Sequence, residues 1–148
     1  MLDALTFHRV AHRLHSFGLT FTARIVTRLG RHLFSAHIPP EVEIGAGTTL
    51  GYGGIGIIIH GQAQLGRDVL VSPGVVIGGR SGLPGAPIVG DGVMIGAGAK
   101  ILGPIRIGAG ASIGANAVVL RDVPPGAVMV GVPARPVARH LKILDGGG

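Results

Sequence analysis

The sequence predicts an all-β solenoid, a parallel β-helix built from hexapeptide repeats, with a short helical segment in front of it. Three observations carry this prediction. An aliphatic residue recurs every six positions, glycine often follows it, and the residue two positions before it is small or branched. A period of six is neither helical nor simply alternating, and three such hexads close one triangular coil of about 18 residues. We therefore expect the aliphatic positions to fill the inside of the coils.

The aliphatic series runs without interruption from Ile59 to Val119. Its eleven members are Ile59, Leu65, Val71, Ile77, Leu83, Val89, Ile95, Ile101, Ile107, Ile113 and Val119. Glycine follows at positions 66, 78, 90, 96, 108 and 114, which suits corners where a Cβ would be costly. The earlier Leu50 stands nine residues before Ile59 instead of six, so we expect three extra residues between Tyr52 and Ile58.

The chain divides into three parts: a helical segment over 1–35, the β-helix over 36–125 and a C-terminal tail over 126–148. In the first part, glycine is scarce and apolar residues follow helical spacing, which predicts two short amphipathic helices with a break near Gly18. Prolines after Val119 are expected to end the regular coils. The last four residues, from Asp145 on, are expected to fray.

Composition limits the partners that this chain is expected to bind. The absence of cysteine excludes disulfides, thiolate nucleophiles and cysteine-ligated zinc. A net charge of +6 favours an anionic ligand, and because aromatic residues are only 3% of the chain, a phosphate-bearing small molecule fits better than nucleic acid. The apolar runs are too short to cross a bilayer and no signal sequence is evident, so we expect no integral membrane segment and a cytoplasmic location.

The helical segment leaves one alternative open. It contains Arg9, Arg13, Arg24, Arg28 and Arg31 beside its apolar positions. Such a segment either lies on a membrane surface or packs its apolar face against neighbouring subunits.

Four stretches of the C-terminal half carry a family resemblance. They are Asp91 to Gly103, Ile113 to Leu120, Val123-Pro124-Pro125 and Gly131-Val132-Pro133-Ala134-Arg135. Together they resemble the serine acetyltransferase family of hexapeptide acyltransferases, over about residues 34–139. The resemblance implies a left-handed β-helix, a homotrimer, acetyl-CoA as donor and a serine-like hydroxyl as acceptor. We further expect active sites between adjacent subunits of the trimer and no metal.

Acetyl transfer to a hydroxyl needs a base for the hydroxyl proton and donors for the developing oxyanion. Of seven histidines, His60 alone lies inside the repeat, at a corner where other hexads mostly place glycine. We expect His60 to be the general base, although a corner histidine without chemistry is the alternative. Tyr52 is a second catalytic candidate, as a phenol that donates to the oxyanion or orients the acceptor. Its alternative role is packing at the mouth of the coil.

Three polar positions depart from the family pattern. His37 stands where members have an acidic residue before Ile-His-Pro, Tyr52 stands where members have their catalytic histidine, and Gly85-Ala86-Pro87 replaces Arg-His-Pro in the protruding loop. Some members share the Leu-Gly-Tyr-Gly-Gly and Ile-His pairing, with a histidine where His60 lies. The resemblance therefore implies a branch with a relocated base.

The two substrates are expected to use different residues. His37, Arg80 and Ser81 are expected to contact the acceptor, with Arg80 gripping a carboxylate by a bidentate pair. Coenzyme A is expected to run along a groove of exposed backbone groups and small residues, with its phosphates next to basic side chains. The residues expected to bind it are Gly78, Gly79, Ala97, Ala99, Lys100, Ala115, Arg121 and Arg135.

Other functions stay open on the same residues. A γ-class carbonic anhydrase has a similar coil but needs three zinc-binding histidines, which a single coil histidine disfavours. An acetyltransferase for another hydroxyl, such as a sugar or a specialised metabolite, would differ at the positions that depart from the family pattern. An inactive scaffold would keep coenzyme A binding and lack turnover.

Overall fold

The structure, a computed structural model, describes residues 2–138. It begins with two helices, α1 (Ala4–Ser16) and α2 (Thr20–Phe34), which are separated at Gly18, where φ is 80°. The two predicted helices and their break are therefore confirmed. Residues 139–148, which include the end predicted to fray, lie outside the described residues.

Within residues 2–138 the chain then forms fourteen short strands. They are β1 (Glu43–Ile44), β2 (Thr49–Leu50), β3 (Ile58–Ile59), β4 (Gln64–Leu65), β5 (Leu70–Val71), β6 (Val76–Gly78), β7 (Ile88–Val89), β8 (Met94–Ile95), β9 (Lys100–Leu102), β10 (Arg106–Ile107), β11 (Ser112–Ile113), β12 (Val118–Val119), β13 (Val128–Val130) and β14 (Arg135–Val137). Up to β12, every third strand belongs to the same sheet, and the strand orders are β1-β4-β7-β10, β12-β9-β6-β3 and β14-β13-β11-β8-β5-β2.

This order describes a triangular coil. Each strand stacks on the strand of the same side in the previous coil, and the stacked pairs are parallel, as in Met94 with Ser112. Among the strands of residues 2–138, only β14 runs antiparallel, to β13. The predicted left-handed parallel β-helix of hexapeptide repeats is confirmed.

The predicted aliphatic ladder fills the inside of this coil with one exception. Ten of its eleven members are buried, whereas Leu83 is 47% exposed, so its assignment to the core was wrong. Leu83 belongs to a loop between β6 and β7. The coil between Val76 and its partner Lys100 contains this loop. It is longer by one period of the repeat than the next coil, between Lys100 and its partner Val118. An insertion of one full period leaves the phase of the repeat unchanged.

The shorter insertion that the sequence predicted is present. Thr49 pairs with Leu70, whereas Ile58 pairs with Val76, so the coil that starts at Thr49 holds three residues more than the regular one. The extra residues fall in a turn over Gly51–Gly54, in which Tyr52 has a φ of 49° and Gly53 a φ of 70°, both in the left-handed region. An insertion of half a period shifts the phase, which is why the sequence pattern revealed it.

Residues 126–138 extend the last coil. Ser112 pairs with Val128, two positions short of the regular spacing, so the hexad pattern ends there while the stacking continues. The chain then returns over β12, where Val118 donates its N–H to Gly131 at 3.0 Å. This return forms one wall of the groove described below.

The helices pack on each other and on the first coil. α2 buries Ala23 and Gly30, and a Cβ on Gly30 would lie 3.1 Å from the Cβ of Phe7. α1 buries Leu5 and His8 on its side facing the coil. None of the helices among residues 2–138 is long and apolar enough to span a membrane.

Candidate functional site

His60 follows β3 at one edge of the triangular prism. Its N–H donates to the carbonyl of Ile77 at 2.8 Å, which stacks it beside Gly78 and Gly79 of the next coil. The ring is exposed and lies against Gly79, since a Cβ placed there would be 3.7 Å from its Cδ2. The backbone of Gly79 therefore borders one side of the ring.

One ring nitrogen of His60 forms a hydrogen bond with the backbone. Nδ1 lies 3.1 Å from the backbone nitrogen of Gln62. Because a backbone N–H can only donate, Nδ1 accepts, and in the neutral ring the proton is then on Nε2. Nε2 is therefore a donor in this state. A base acting through Nε2 needs the opposite tautomer, which gives up the hydrogen bond from Gln62.

The loop over 80–87 leaves the coil at the same edge, directly after Gly79. Arg80 and Leu83 form an antiparallel bridge at its base. The stem of Arg80 packs on Gly103, where a Cβ would be 3.5 Å from the Cβ of the arginine. Arg80 therefore lies toward the C-terminal coils, while Ser81 is exposed on the loop.

A groove of about 460 Å³ lies at the C-terminal end of this edge. Its basic lining residues are Arg80, Arg121 and Arg135. The segment 131–134 forms one wall, held on β12 by backbone hydrogen bonds of 2.8 and 3.0 Å to Val118. The structure thus brings together two arginines expected at the coenzyme and one expected at the acceptor. Three guanidinium groups around one groove can bind phosphate oxygens by paired hydrogen bonds.

Three other candidates lie at a different edge of the prism. Tyr52, Ala97 and Ala115 occupy the turns after β2, β8 and β11, whereas His60 follows β3. The Tyr52 side chain is 85% exposed. Within one chain, the structure does not bring this edge to His60.

The side chains of two residues expected at the coenzyme already contact other parts of this chain. Ala99 is fully buried inside the coil. Nζ of Lys100 donates to the carbonyl of Gly98 at 2.8 Å, so its ammonium group already has a partner.

His37 lies on the side of the coil that faces α2. It forms a parallel bridge with Ile58, and its Nδ1 is buried with no hydrogen-bond partner among residues 2–138. Its side chain lines a groove with three arginines of α2. The structure does not bring His37 to the loop at Arg80. No cluster of three or more metal-ligating side chains occurs among residues 2–138.

Comparison with known proteins agrees with this architecture. A family model described as bacterial transferase hexapeptide (six repeats) matches residues 86–121. A serine acetyltransferase from Synechocystis sp. is 43% identical over 73 residues, which are 49% of this chain and 29% of that protein. Among solved structures, the soybean serine acetyltransferase apoenzyme superposes with a TM-score of 0.86 at 40% identity. Over its β-helix, the chain is therefore similar to serine acetyltransferases.

The similarity extends over most of this chain but over only part of the proteins that it matches. The soybean match covers 90% of this chain and 56% of that one. The Neisseria gonorrhoeae serine acetyltransferase has a TM-score of 0.87 at 43% identity, and the match covers 94% of this chain and 55% of that one. The chain therefore spans about half the length of the solved structures that it matches.

The apolar side of the groove was not predicted from the sequence. Met129, Pro133 and Pro136 line it together with the arginines. The Gly131 to Arg135 motif is the sequence signal for this wall of the groove. From the sequence, however, only Arg135 of this motif is predicted to bind the coenzyme. The effect of the motif on the groove depends on how the chain returns over β12, which a local motif does not specify.

Proposed function

We propose that this protein is an acetyl-CoA-dependent O-acetyltransferase that acts on the hydroxyl of L-serine or a similar small acceptor. The observation that carries the proposal is the groove lined by Arg80, Arg121 and Arg135, in a chain whose fold matches serine acetyltransferases. One of the matched structures is described as a complex with CoA and another as a complex with serine. Acetyl-CoA as donor and the absence of cysteine are consistent with a cytoplasmic enzyme.

The reaction joins the acceptor hydroxyl to the acetyl carbonyl carbon. The hydroxyl oxygen attacks the thioester carbonyl, its proton passes to a base, and the carbon–sulfur bond then breaks to release the coenzyme thiol with that proton. The arginine groove would hold the phosphates of coenzyme A, so its thioester would lie along the edge that carries His60. Gly78 and Gly79 keep this edge open to an extended ligand.

His60 is the proposed proton-transfer residue, acting as general base. Its Nδ1 now accepts from Gln62, so basic action at Nε2 requires the proton to move to Nδ1. An alternative role follows from the observed tautomer, in which Nε2–H would donate to the carbonyl oxygen of the thioester. Both roles place Nε2 at the reacting atoms, but only the donor role can be taken over by an amide N–H of a substituted side chain.

A pair of variants separates these roles. Release of thiol from acetyl-CoA with L-serine would be measured for wild type, His60→Ala and His60→Gln. If His60 is the base, both variants lose roughly 100-fold or more in kcat, because an amide cannot accept the proton. If His60 donates, His60→Gln keeps much of the activity through its amide N–H. Wild-type rates in both variants would remove His60 from the mechanism.

Binding of coenzyme A has its own test. Arg121→Gln should weaken CoA binding, measured by calorimetry, about tenfold, since it removes one charge-assisted hydrogen-bonding group from the phosphates. Arg67→Gln, an exposed arginine elsewhere on the coil, is the matched control. Equal affinity of both variants would contradict the assignment of the groove.

A second acceptor class is favoured by the position of Arg80. Arg80 packs on Gly103 and lines the C-terminal groove, where it would serve the phosphates of the coenzyme instead of the carboxylate of an amino acid. A neutral hydroxyl acceptor such as a sugar needs no such cation. Comparing L-serine with a panel of sugars as acceptors decides between the two classes, and CoA binding without turnover on any acceptor would indicate an inactive scaffold.

A further inference from the structure

The helical hairpin made by α1 and α2 buries small residues of α2 and exposes its large apolar ones. Ala23 and Gly30 form the buried contacts of α2. Phe21 is 77% exposed and Leu33 is 64% exposed. Residues four apart lie on one helix face, so Phe21, Ile25, Leu29 and Leu33 form a continuous outward stripe, called here the apolar stripe.

Arginines flank the apolar stripe on one side. Arg24, Arg28 and Arg31 follow one another at helical spacing and line a groove of about 250 Å³ together with His37 and Glu41. Glu41 is the one carboxylate among the residues that line this groove. The groove is therefore net positive and opens beside a large exposed apolar surface.

The charge of the hairpin restricts what can cover the apolar stripe. Residues 4–34 contain five arginines and no aspartate or glutamate. A second hairpin of the same sequence would bring arginines to arginines without a carboxylate between them. A nucleic acid would pair with the arginines but leave the phenylalanine and leucine side chains in water. A bilayer with anionic lipids offers phosphates to the arginines and an apolar layer to the stripe.

We propose that the α1–α2 hairpin is a membrane-surface anchor for bilayers that contain anionic lipid. In this arrangement α2 lies parallel to the surface. The apolar stripe enters the boundary between headgroups and acyl chains, and Arg24, Arg28 and Arg31 contact lipid phosphates. This anchoring is independent of the proposed acetyl transfer, and it places the β-helix against the cytoplasmic leaflet, where anionic lipids are concentrated.

Co-sedimentation of the full chain with vesicles tests the proposal. The wild type should sediment with vesicles of phosphatidylcholine and phosphatidylglycerol, and much less with phosphatidylcholine alone. Because each arginine near an anionic surface contributes about fivefold to partitioning, Arg24→Gln with Arg28→Gln should lower it about 30-fold. Phe21→Ser with Leu29→Ser should abolish it.

The matched control is Arg67→Gln with Arg106→Gln, which removes the same charge from exposed positions on the coil and should bind as the wild type does. The proposal fails if wild type stays in the supernatant with both vesicle types, or if the two double arginine variants bind equally. It also fails if Phe21→Ser with Leu29→Ser lowers the oligomer mass without vesicles while wild type ignores lipid, because the stripe would then be an interface between copies of this chain.

Discussion

At the scale of single residues, His8 shows how burial changes a side chain that the sequence pattern placed on a helix. Its ring lies between α1 and the first coil, against the backbone of Ile38 and Val42, and is only 4% exposed. Burial, with a smaller contribution from the nearby His12, lowers the pKa of His8 from 6.5 to about 4. The folded protein therefore holds His8 neutral at pH 7.

This burial predicts acid sensitivity. Because the pKa of His8 is lower in the folded than in the unfolded state, its contribution to stability is complete above pH 6.5 and is lost as the pH falls toward 4. Between pH 7 and pH 5 the free energy of unfolding should drop by about 2 kcal/mol through this residue. Urea denaturation at the two pH values measures the drop.

The variant His8→Leu isolates the effect, since leucine fills the site and does not titrate. It should remove most of the difference in unfolding free energy between the two pH values. His32→Gln, at an exposed position of α2, is the control and should leave that difference unchanged. An undiminished pH dependence in His8→Leu would show that His8 is not the group responsible.

At the scale of elements, the loop over 80–87 explains why an unbroken repeat concealed an insertion. The coil that contains the loop is longer than the next by one period of the repeat. Leu83 consequently stands in phase with the buried positions although it is exposed. The six-residue spacing of apolar residues therefore reveals an insertion only if the insertion is not a whole number of periods. An insertion of one whole period stays in phase and looks like part of the coil.

The same arithmetic predicts the result of a deletion. Removal of 81–86 restores the regular coil spacing between Val76 and Lys100, and the deleted residues are exposed except around Ala86. The free energy of unfolding should change by about 1 kcal/mol or less, because loop closure depends weakly on loop length. Urea denaturation followed by circular dichroism measures it.

A deletion of equal length within a regular coil is the control for this prediction. Removing 108–113 takes away β11, which pairs with both β8 and β13, and should abolish cooperative unfolding because repeats are stabilised by their neighbours. If the loop deletion were as damaging as this one, the loop would be part of the stacked core.

At the scale of the whole molecule, most of the candidate residues fall on two edges of one prism, whereas His37 lies on the side that faces α2. His60 and the arginine groove share one edge, while Tyr52 with Ala97 and Ala115 occupies another. A single chain cannot bring the edges together, since the packed coil separates them. A homotrimer in which the His60 edge of one chain faces the Tyr52 edge of the next would complete the site, and this is the assembly we propose.

Complementation between subunits tests that assembly. Light scattering should give the mass of three 14.9 kDa chains. His60→Ala and Tyr52→Ala should each be impaired alone, and mixed trimers formed from both should regain activity, because one interface then has both native residues. Trimers of each variant treated in the same way are the control. A monomeric mass, or mixed trimers without regained activity, would contradict a shared site.

The sequence by itself determined the solenoid, because a six-residue period has one simple structural solution, and it also determined the two helices and the three extra residues near Tyr52. It singled out His60, Tyr52 and the arginines by residue type. The tertiary structure alone decided which of these meet. Arg80 joins Arg121 because its stem packs on Gly103, and the tautomer of His60 follows from a turn N–H. Coil stacking and the return of the chain bring together residues that are distant in sequence. A local sequence pattern therefore does not reveal such contacts.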